Sequence, residues 1–364
     1  KHGDLFGERY LFYSQEHKLG LLPYVLKKLF LKRVEINRAL KAGEYSGDEK
    51  IAMDKRQWAY KLILNSAYGA MGFNFFRLYK PEVADAITFF ARQALKFAVL
   101  EFQGYGHKTL YGDTDSIFVK SAGANEEQMV KKLDVFNESL KENLVKKYNT
   151  GLQDEYMLMD LKFEYDMEKI YFGNSKKRYY GIVRDTGEKY IRGMNIIRKD
   201  TPEFMKGALN KIAEFAVRNK LTLNHVVALR KKIESVDYKL IGISKSFTKK
   251  FDEYIKTMPQ HVKASQWANK RLDIAINNTD NPYLFYIKSN CEEDLKPRDR
   301  QTAICLNEED LGFIDSRKDV FEIDYDKFFE KQVIDQLKEF KYIDSVKVIL
   351  EEYKQIIKEE KLVK

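Results

Sequence analysis

Tyr111-Gly112-Asp113-Thr114-Asp115-Ser116 lies between two apolar runs, residues 108–111 and 117–120. Two short apolar runs around polar turn residues read as strand, tight turn, strand. Gly followed by Asp-Thr-Asp suits such a turn, because Gly tolerates a positive φ and Asp can bond its own backbone. On an extended backbone Asp113 and Asp115, two residues apart, would aim both carboxylates to one side. Two carboxylates converging at a strand end form a hard-oxygen site suited to Mg²⁺. An Asp-rich turn without chemistry fits the same residues, and the neighbouring motifs decide between the two.

Working outward, the chain of 364 residues is long enough for two or three domains with a sizeable core. Its 44% hydrophobic and 33% charged residues suit a folded globular protein rather than a disordered one. Lys and Arg exceed Asp and Glu by 64 to 55, a formal charge of +9. Gathered on one face, that surplus favours a polyanionic partner. No run of 18 apolar residues occurs, so no membrane span is expected, and no signal peptide is visible. Cys291 and Cys305 are the only cysteines, without a Cys-x-x-Cys pair, and the histidines are scattered. Neither a zinc site nor a disulfide framework is expected, a reducing compartment fits, and any metal falls to carboxylates. The first residue is Lys1 rather than Met, which suggests a piece of something longer.

Before the hairpin, residues 9–13 read as a strand. Apolar residues then recur at helical spacing over 23–42 (Leu26, Leu29, Phe30, Val34, Ile36, Leu40), with Pro23 near the start and Gly43 after the end. Lys27, Lys28, Lys32, Arg33, Arg38 and Lys41 make this helix strongly basic; a solvated outer face gives the same count. Gly47 opens a second helix over 48–70, so the two form a helical hairpin. Lys61, Asn65 and Tyr68 fall at i, i+4 and i+7 of the second helix, which lines up a cation, an amide and a phenol. That set could hold a triphosphate, a sugar and a base edge; a polar surface stripe explains it as well. Residues 76–103 read as an apolar helix packed on a sheet.

After the hairpin come a helix over 126–147 and strands at 157–165, 170–172, 178–183 and 190–191, a mostly antiparallel sheet. Lys176-Lys177-Arg178-Tyr179 is a basic cluster leading into a strand, placed to meet a phosphate backbone or to act as a charged strand end. Glu164, in a strand context, is a further candidate metal ligand or an ordinary solvent-facing residue. Near residue 193 the character changes. Helices are expected over 202–220, 222–234 and 245–258, irregular chain over 277–308, and a charged helical tail from 324 onward.

This ordered set resembles the family B DNA polymerases. Lys61, Asn65, Ser66, Tyr68 and Gly69 are similar to the family's fingers motif, the stretch from Tyr111 to Ser116 to its palm motif, and Lys176-Lys177-Arg178-Tyr179 to its DNA-contacting motif. Arg192-Gly193 with Arg198 and Asp200 resembles the palm-to-thumb junction. Pro259 with His261-Val262, and Ile323-Asp324-Tyr325-Asp326 followed by Glu330-Lys331-Gln332, resemble thumb segments. The resemblance spans nearly the whole chain in the family's order.

It implies an α+β partial right hand, archaeal-like or viral: part of the palm at 1–20, helical-hairpin fingers at 21–75, an antiparallel-sheet palm at 76–192 and a mostly helical thumb at 193–364. Asp113 and Asp115 would belong to a site for two Mg²⁺ ions, with Asp115 the essential ligand and Glu164 a possible addition. Lys61 would neutralise the triphosphate, Asn65 orient the nucleotide, Tyr68 stack beneath the nascent pair and Arg33 clamp the γ-phosphate. Where the family has a second cation, four residues after Arg33, this chain has Asn37 with Arg38 alongside. Asn195 stands where the junction is expected to carry Glu. The family's first palm motif, an Asp followed by Ser-Leu-Tyr-Pro, does not occur, nor do exonuclease motifs.

The expectation is therefore the C-terminal part, or small subunit, of a DNA-dependent DNA polymerase. Its partners would be primer–template DNA, dNTPs and an N-terminal portion or large subunit that brings the other catalytic Asp and any proofreading; alone it would be inactive. A sliding clamp is a further possible partner, although no clear clamp box is seen, and the compartment would be the cytoplasm or nucleoid. The alternatives are a non-catalytic DNA-binding scaffold subunit derived from such a polymerase, against which the retained Asp113, Asp115, Lys61 and Asn65 speak, and a two-metal nuclease, which needs more carboxylates than Glu164.

Overall fold

A computed structural model describes residues 20–148, 160–255, 257–272, 274–288, 301–317 and 321–363. The strand expected at 9–13, and Cys291, lie outside them. The chain divides into two compact units, Lys1–Glu164 and Tyr165–Lys364. Both combine helices with small antiparallel sheets, an α+β architecture.

In the first unit α1 (Leu21–Ala42) and α2 (Gly47–Met71) pack along each other as the helical spacing predicts. Gly43 ends α1 with a φ of 75° and returns its N–H to the carbonyls of Ala39 and Leu40, a cap that glycine adopts without strain. The third helix begins later than expected: residues 73–79 form turns, and α3 (Pro81–Gly104) starts at the proline, whose missing N–H is not needed in a first turn. One side of α3 packs on β1 (Lys108–Asp113) and β2 (Ser116–Lys120), and α4 (Glu126–Tyr148) closes a small core of Ala98, Phe102, Phe136 and Leu140. Where a strand was expected at 157–165, the described residues from 160 form none. The Asn137 side chain of α4 replaces the neighbouring strand: its amide donates to the Leu161 carbonyl at 2.9 Å, and its oxygen accepts the Leu161 N–H at 2.8 Å.

The second unit opens with the sheet β3 (Met167–Phe172), β4 (Tyr179–Val183) and β5 (Lys189–Arg192), all antiparallel neighbours in that order. Tyr180 and Ile182 of β4 point into the core, and the Tyr180 hydroxyl donates to Asn210 Oδ1 at 2.7 Å on α5 (Glu203–Val217). Then follow α6 (Leu223–Glu234), β6 (Ile243–Ser244), α7 (Gln260–Arg271), β7 (Tyr283–Tyr286) and β8 (Ala303–Leu306). The short α8 (Phe313–Ser316) precedes a continuous run of α9 (Tyr325–Phe329), a π-helical turn Glu330–Ile334, α10 (Asp335–Leu337) and a 3₁₀ turn Lys338–Phe340, and after a turn at 341–343 comes α11 (Asp344–Val363). One contiguous core joins the β3–β5 sheet to these helices.

Two expectations fail here. The described residues of 245–258 hold only the 3₁₀ turn Phe251–Glu253, not a helix. The i, i+4 pair Phe247 and Phe251 does meet, edge to face at 4.8 Å, but from irregular chain whose N–H groups go elsewhere: Lys245 to the Pro282 carbonyl, Thr248 to the Tyr254 hydroxyl. The stretch 277–308, read as irregular, holds β7 and β8. These form a three-stranded sheet with β6, and every residue of β8 is buried, so no alternation marks the strand. Among the described residues, no helix is long and apolar enough to cross a membrane.

Candidate functional site

The hairpin forms as the sequence predicts, with Asp113 opposite Ser116 and Thr114-Asp115 as its two-residue turn. The turn residue with positive φ is Thr114, at 53°, rather than Gly112. Gly112 sits inside β1 opposite Ile117; a Cβ there would make ordinary contact with Ile117 at 3.6 Å and Leu95 at 3.7 Å. Thr114 Oγ1 donates to Asp113 Oδ1 at 3.0 Å, and the Asp115 N–H donates to the Asp113 carbonyl at 2.6 Å. Asp113 is half-buried and Asp115 exposed. Since Asp115 lies in the turn and not on the strand, the turn's own hydrogen bonds, not strand alternation, set where the two carboxylates stand.

A residue passed over in the sequence closes the base of this hairpin. His107, buried just before β1, accepts the Ala122 N–H at Nδ1 (3.1 Å), which joins the two ends of the hairpin. Its Nε2 lies 2.8 Å from Lys132 Nζ on α4. Burial, and then the Lys132 charge, hold the His107 pKa below its usual value of 6.5. Only a neutral imidazole offers the acceptor that Ala122 uses.

On α2, Lys61 is half-buried, Asn65 and Tyr68 are exposed, and the Lys61 ammonium sits over the Trp58 ring at 5.0 Å. Arg33 on α1 is half-buried, with a buried Nε that has no hydrogen-bond partner; Asn37 is half-buried and Arg38 exposed. No cluster of three or more His, Cys, Asp or Glu side chains placed to hold a metal ion occurs among the described residues, so Glu164 is not gathered into one with Asp113 and Asp115. The two aspartates by themselves fit a divalent cation by the chemistry of their donors: hard carboxylate oxygens on one tight turn.

The basic segment lies in the second unit. Lys176 and Lys177 are exposed, and Lys177 has a φ of 63°. Gly193, with φ of 62°, lies so close that a Cβ on it would stand 2.2 Å from the Lys177 carbonyl oxygen, so no other residue fits there without moving the backbone. Arg178 Nη1 donates to Glu339 Oε1 at 2.8 Å. Tyr179 is buried, stacked on Tyr190 at 5.8 Å and edge-on to Phe172 at 6.1 Å, so the aromatic that ends the cluster packs in the sheet. At the junction Asn195 donates to Glu339 and accepts from Arg198. Asp200, resisted by burial but bonded by Lys245 and faced by Arg198, keeps its carboxyl below the usual range.

The sequence profile of DNA polymerase family B matches residues 4–341. DNA polymerase 1 of Saccharolobus solfataricus is 28% identical over 291 residues, covering 76% of this chain and 30% of that protein. The DNA polymerase of Archaeoglobus fulgidus is 32% identical over 251 residues, covering 68% and 30%. The DNA polymerase alpha catalytic subunit of Xenopus laevis is 26% identical over 271 residues, covering 70% and 18%. The chain thus spans less than a third of the length of these relatives.

Proposed function

The chain belongs to DNA polymerase family B, and from that premise we propose that it is the C-terminal part of a DNA-dependent DNA polymerase. Such an enzyme transfers a nucleotidyl group from a dNTP to a primer 3′-hydroxyl and releases pyrophosphate. The observation that carries the reading is the β1–β2 tip, where Asp113 and Asp115 occupy one tight turn, preceded in the chain by α2 with Lys61, Asn65 and Tyr68. On this reading residues 21–75 are the fingers, 76–192 the palm and 193–364 the thumb, although the last boundary runs through one continuous core.

Asp113 and Asp115 would hold Mg²⁺, with further ligands from outside this chain. Bound divalent ions in such a site stabilise the charge that develops on the attacking and leaving oxygens. Lys61 would leave the Trp58 face to neutralise the triphosphate, Asn65 would orient the nucleotide and Tyr68 would stack beneath the new pair. Arg33 or Arg38 would meet the γ-phosphate as the helical pair closes, which excludes water and aligns the reactants. Lys176 and Lys177 would hold the duplex through its phosphates, whatever its sequence. Primer extension tests the reading, with the chain alone and mixed with an N-terminal polymerase portion. Extension only in the mixture, abolished by Asp115→Ala, is expected. Robust extension by the chain alone would mean that the metal site is complete within it, and a mixture that binds DNA without extending it would favour a scaffold subunit.

A further inference from the structure

The C-terminal helical run grips the basic segment through one carboxylate. Glu339, in the 3₁₀ turn Lys338–Phe340, accepts at Oε1 from Arg178 Nη1 at 2.8 Å and from Asn195 Nδ2 at 3.0 Å. Its side chain is only 13% exposed, that of Arg178 36%. The same turn also holds the chain that leads into the segment, since the Tyr171 hydroxyl of β3 donates to the Glu339 carbonyl at 2.8 Å and Asn174 Nδ2 to the Lys338 carbonyl at 3.4 Å. Burial raises the Glu339 pKa, against the opposing pull of Arg178 and Arg198.

Arg178 is half-buried against Glu339, and the two lysines before it are exposed. A phosphate that captured the Arg178 guanidinium would strip Glu339 of its ion-pair partner and leave a largely buried carboxylate held by the neutral Asn195 amide alone, an expensive state. Lys176 and Lys177 are exposed at the turn, and a lysine's compact charge on a flexible stem can follow a phosphate. We propose that Arg178 is a strut rather than a DNA contact, and that Glu339 is the positioning residue that fixes the segment so that Lys176 and Lys177 meet the phosphates. This rests on the reading of the segment as a DNA contact.

The test is the salt dependence of the full chain's affinity for a primer–template duplex. Lys176→Ala and Lys177→Ala each reduce the slope of log affinity against log salt by about 0.9, one phosphate contact. Glu339→Gln releases Arg178 to a phosphate and steepens the slope by about the same 0.9. The double variant Arg178→Gln, Glu339→Gln returns it to the parental value. A parental slope in Glu339→Gln, or a shallower one in the double variant, overturns the proposal. A thermal-unfolding cycle on the same two positions tests the strut without DNA. The double variant should lose less Tm than the sum of the singles, and additive losses refute the strut. A coupled pair in a chain that shows no salt-dependent DNA binding keeps the strut but removes the DNA reading, and with it the role given to the lysines.

Discussion

Among the described residues of the unit Lys1–Glu164 the buried apolar side chains are four alanines with Met71, Phe102, Phe136 and Leu140, whereas Tyr165–Lys364 packs Tyr180, Phe285, Phe328, Phe329 and Phe340 into one continuous core. On α2 alone, Trp58, Leu62, Ile63 and Tyr68 stay exposed. At about 25 cal/mol per Å² of apolar surface removed from water, such different burial means very different local stability. The residues proposed to handle the nucleotide stand on the thinly packed helices, and those proposed to hold the duplex stand on the deep core. An element that must close and reopen in every cycle belongs at the low-stability end, and one that only grips does not.

The contrast predicts where large losses fall. Phe329→Ala, at a side chain with 0% exposure, should cost about 3–5 kcal/mol and lower the main calorimetric transition, that of the second unit. Phe136→Ala, also at 0% exposure, should fall at the low end of about 3–5 kcal/mol, because the small core around it can collapse. Its loss should appear in a separate, earlier transition. If both variants shift one and the same transition, the two units unfold together and the contrast has no thermodynamic meaning.

A smaller loss probes polar fastening. Arg230 of α6, 13% exposed, is paired with Glu360 of α11 at 2.9 Å, with Asp326 of α9 at 2.7 Å and with Glu234 at 3.2 Å. Arg230→Met should cost about 1–2 kcal/mol, since the freed carboxylates are half in water and rehydrate. The first unit has His107 instead. Its folded pKa lies below 6.5, so between that value and 6.5 the unfolded chain binds more protons and stability rises with pH. The contribution is complete above 6.5 and is lost as pH falls toward the folded pKa. His261 in the second unit is also held low, by burial and Lys245, so global melting does not separate the two. Protection of the Ala122 amide against hydrogen exchange does: it should fall between pH 7.5 and 5.5, and His107→Phe should abolish the dependence. Unchanged protection over that range would refute the clasp.

Much of the fold was readable because its signals are local. The long helices announced themselves in the sequence, and Gly43 marked a real helix end, whereas the start at Pro81 was placed too early. The hairpin itself followed from two short runs around a turn, though not which turn residue takes the positive φ. What was missed lacks a periodic signal or depends on a distant partner: β7 and β8 are apolar throughout, β7 also pairs with β6 at Ile243–Ser244, and the phenylalanines at 247 and 251 mimic a helix. The same holds at the candidate site. Nothing near Lys176-Lys177-Arg178-Tyr179 separates a cation that faces solvent from one paired to Glu339, 161 residues away in sequence. Asn195, which departs from the expected Glu, has a meaning only beside Glu339: a Glu there would set a second carboxylate against the first, whereas Asn donates to it.

The smallest effect on stability sharpens the comparison most. Trp58 is 51% exposed on α2, and its ring carries the Lys61 ammonium at 5.0 Å. An exposed cation–π contact is worth about 0.5–1 kcal/mol. Trp58→Ala should therefore lower stability by no more than about that amount. If Lys61 must leave the ring to reach a triphosphate, the same variant removes an interaction that competes with the nucleotide. Nucleotide affinity, measured in the reconstituted mixture, should then rise by up to about fivefold, the factor that corresponds to 1 kcal/mol. Trp58→Phe keeps a weaker face and should fall between the two. A drop in affinity in Trp58→Ala with unchanged melting would mean that the ring aims Lys61 at the nucleotide instead of withholding it. The exposed aromatic of the thinly packed unit would then be part of the binding surface, not a resting place for its cation.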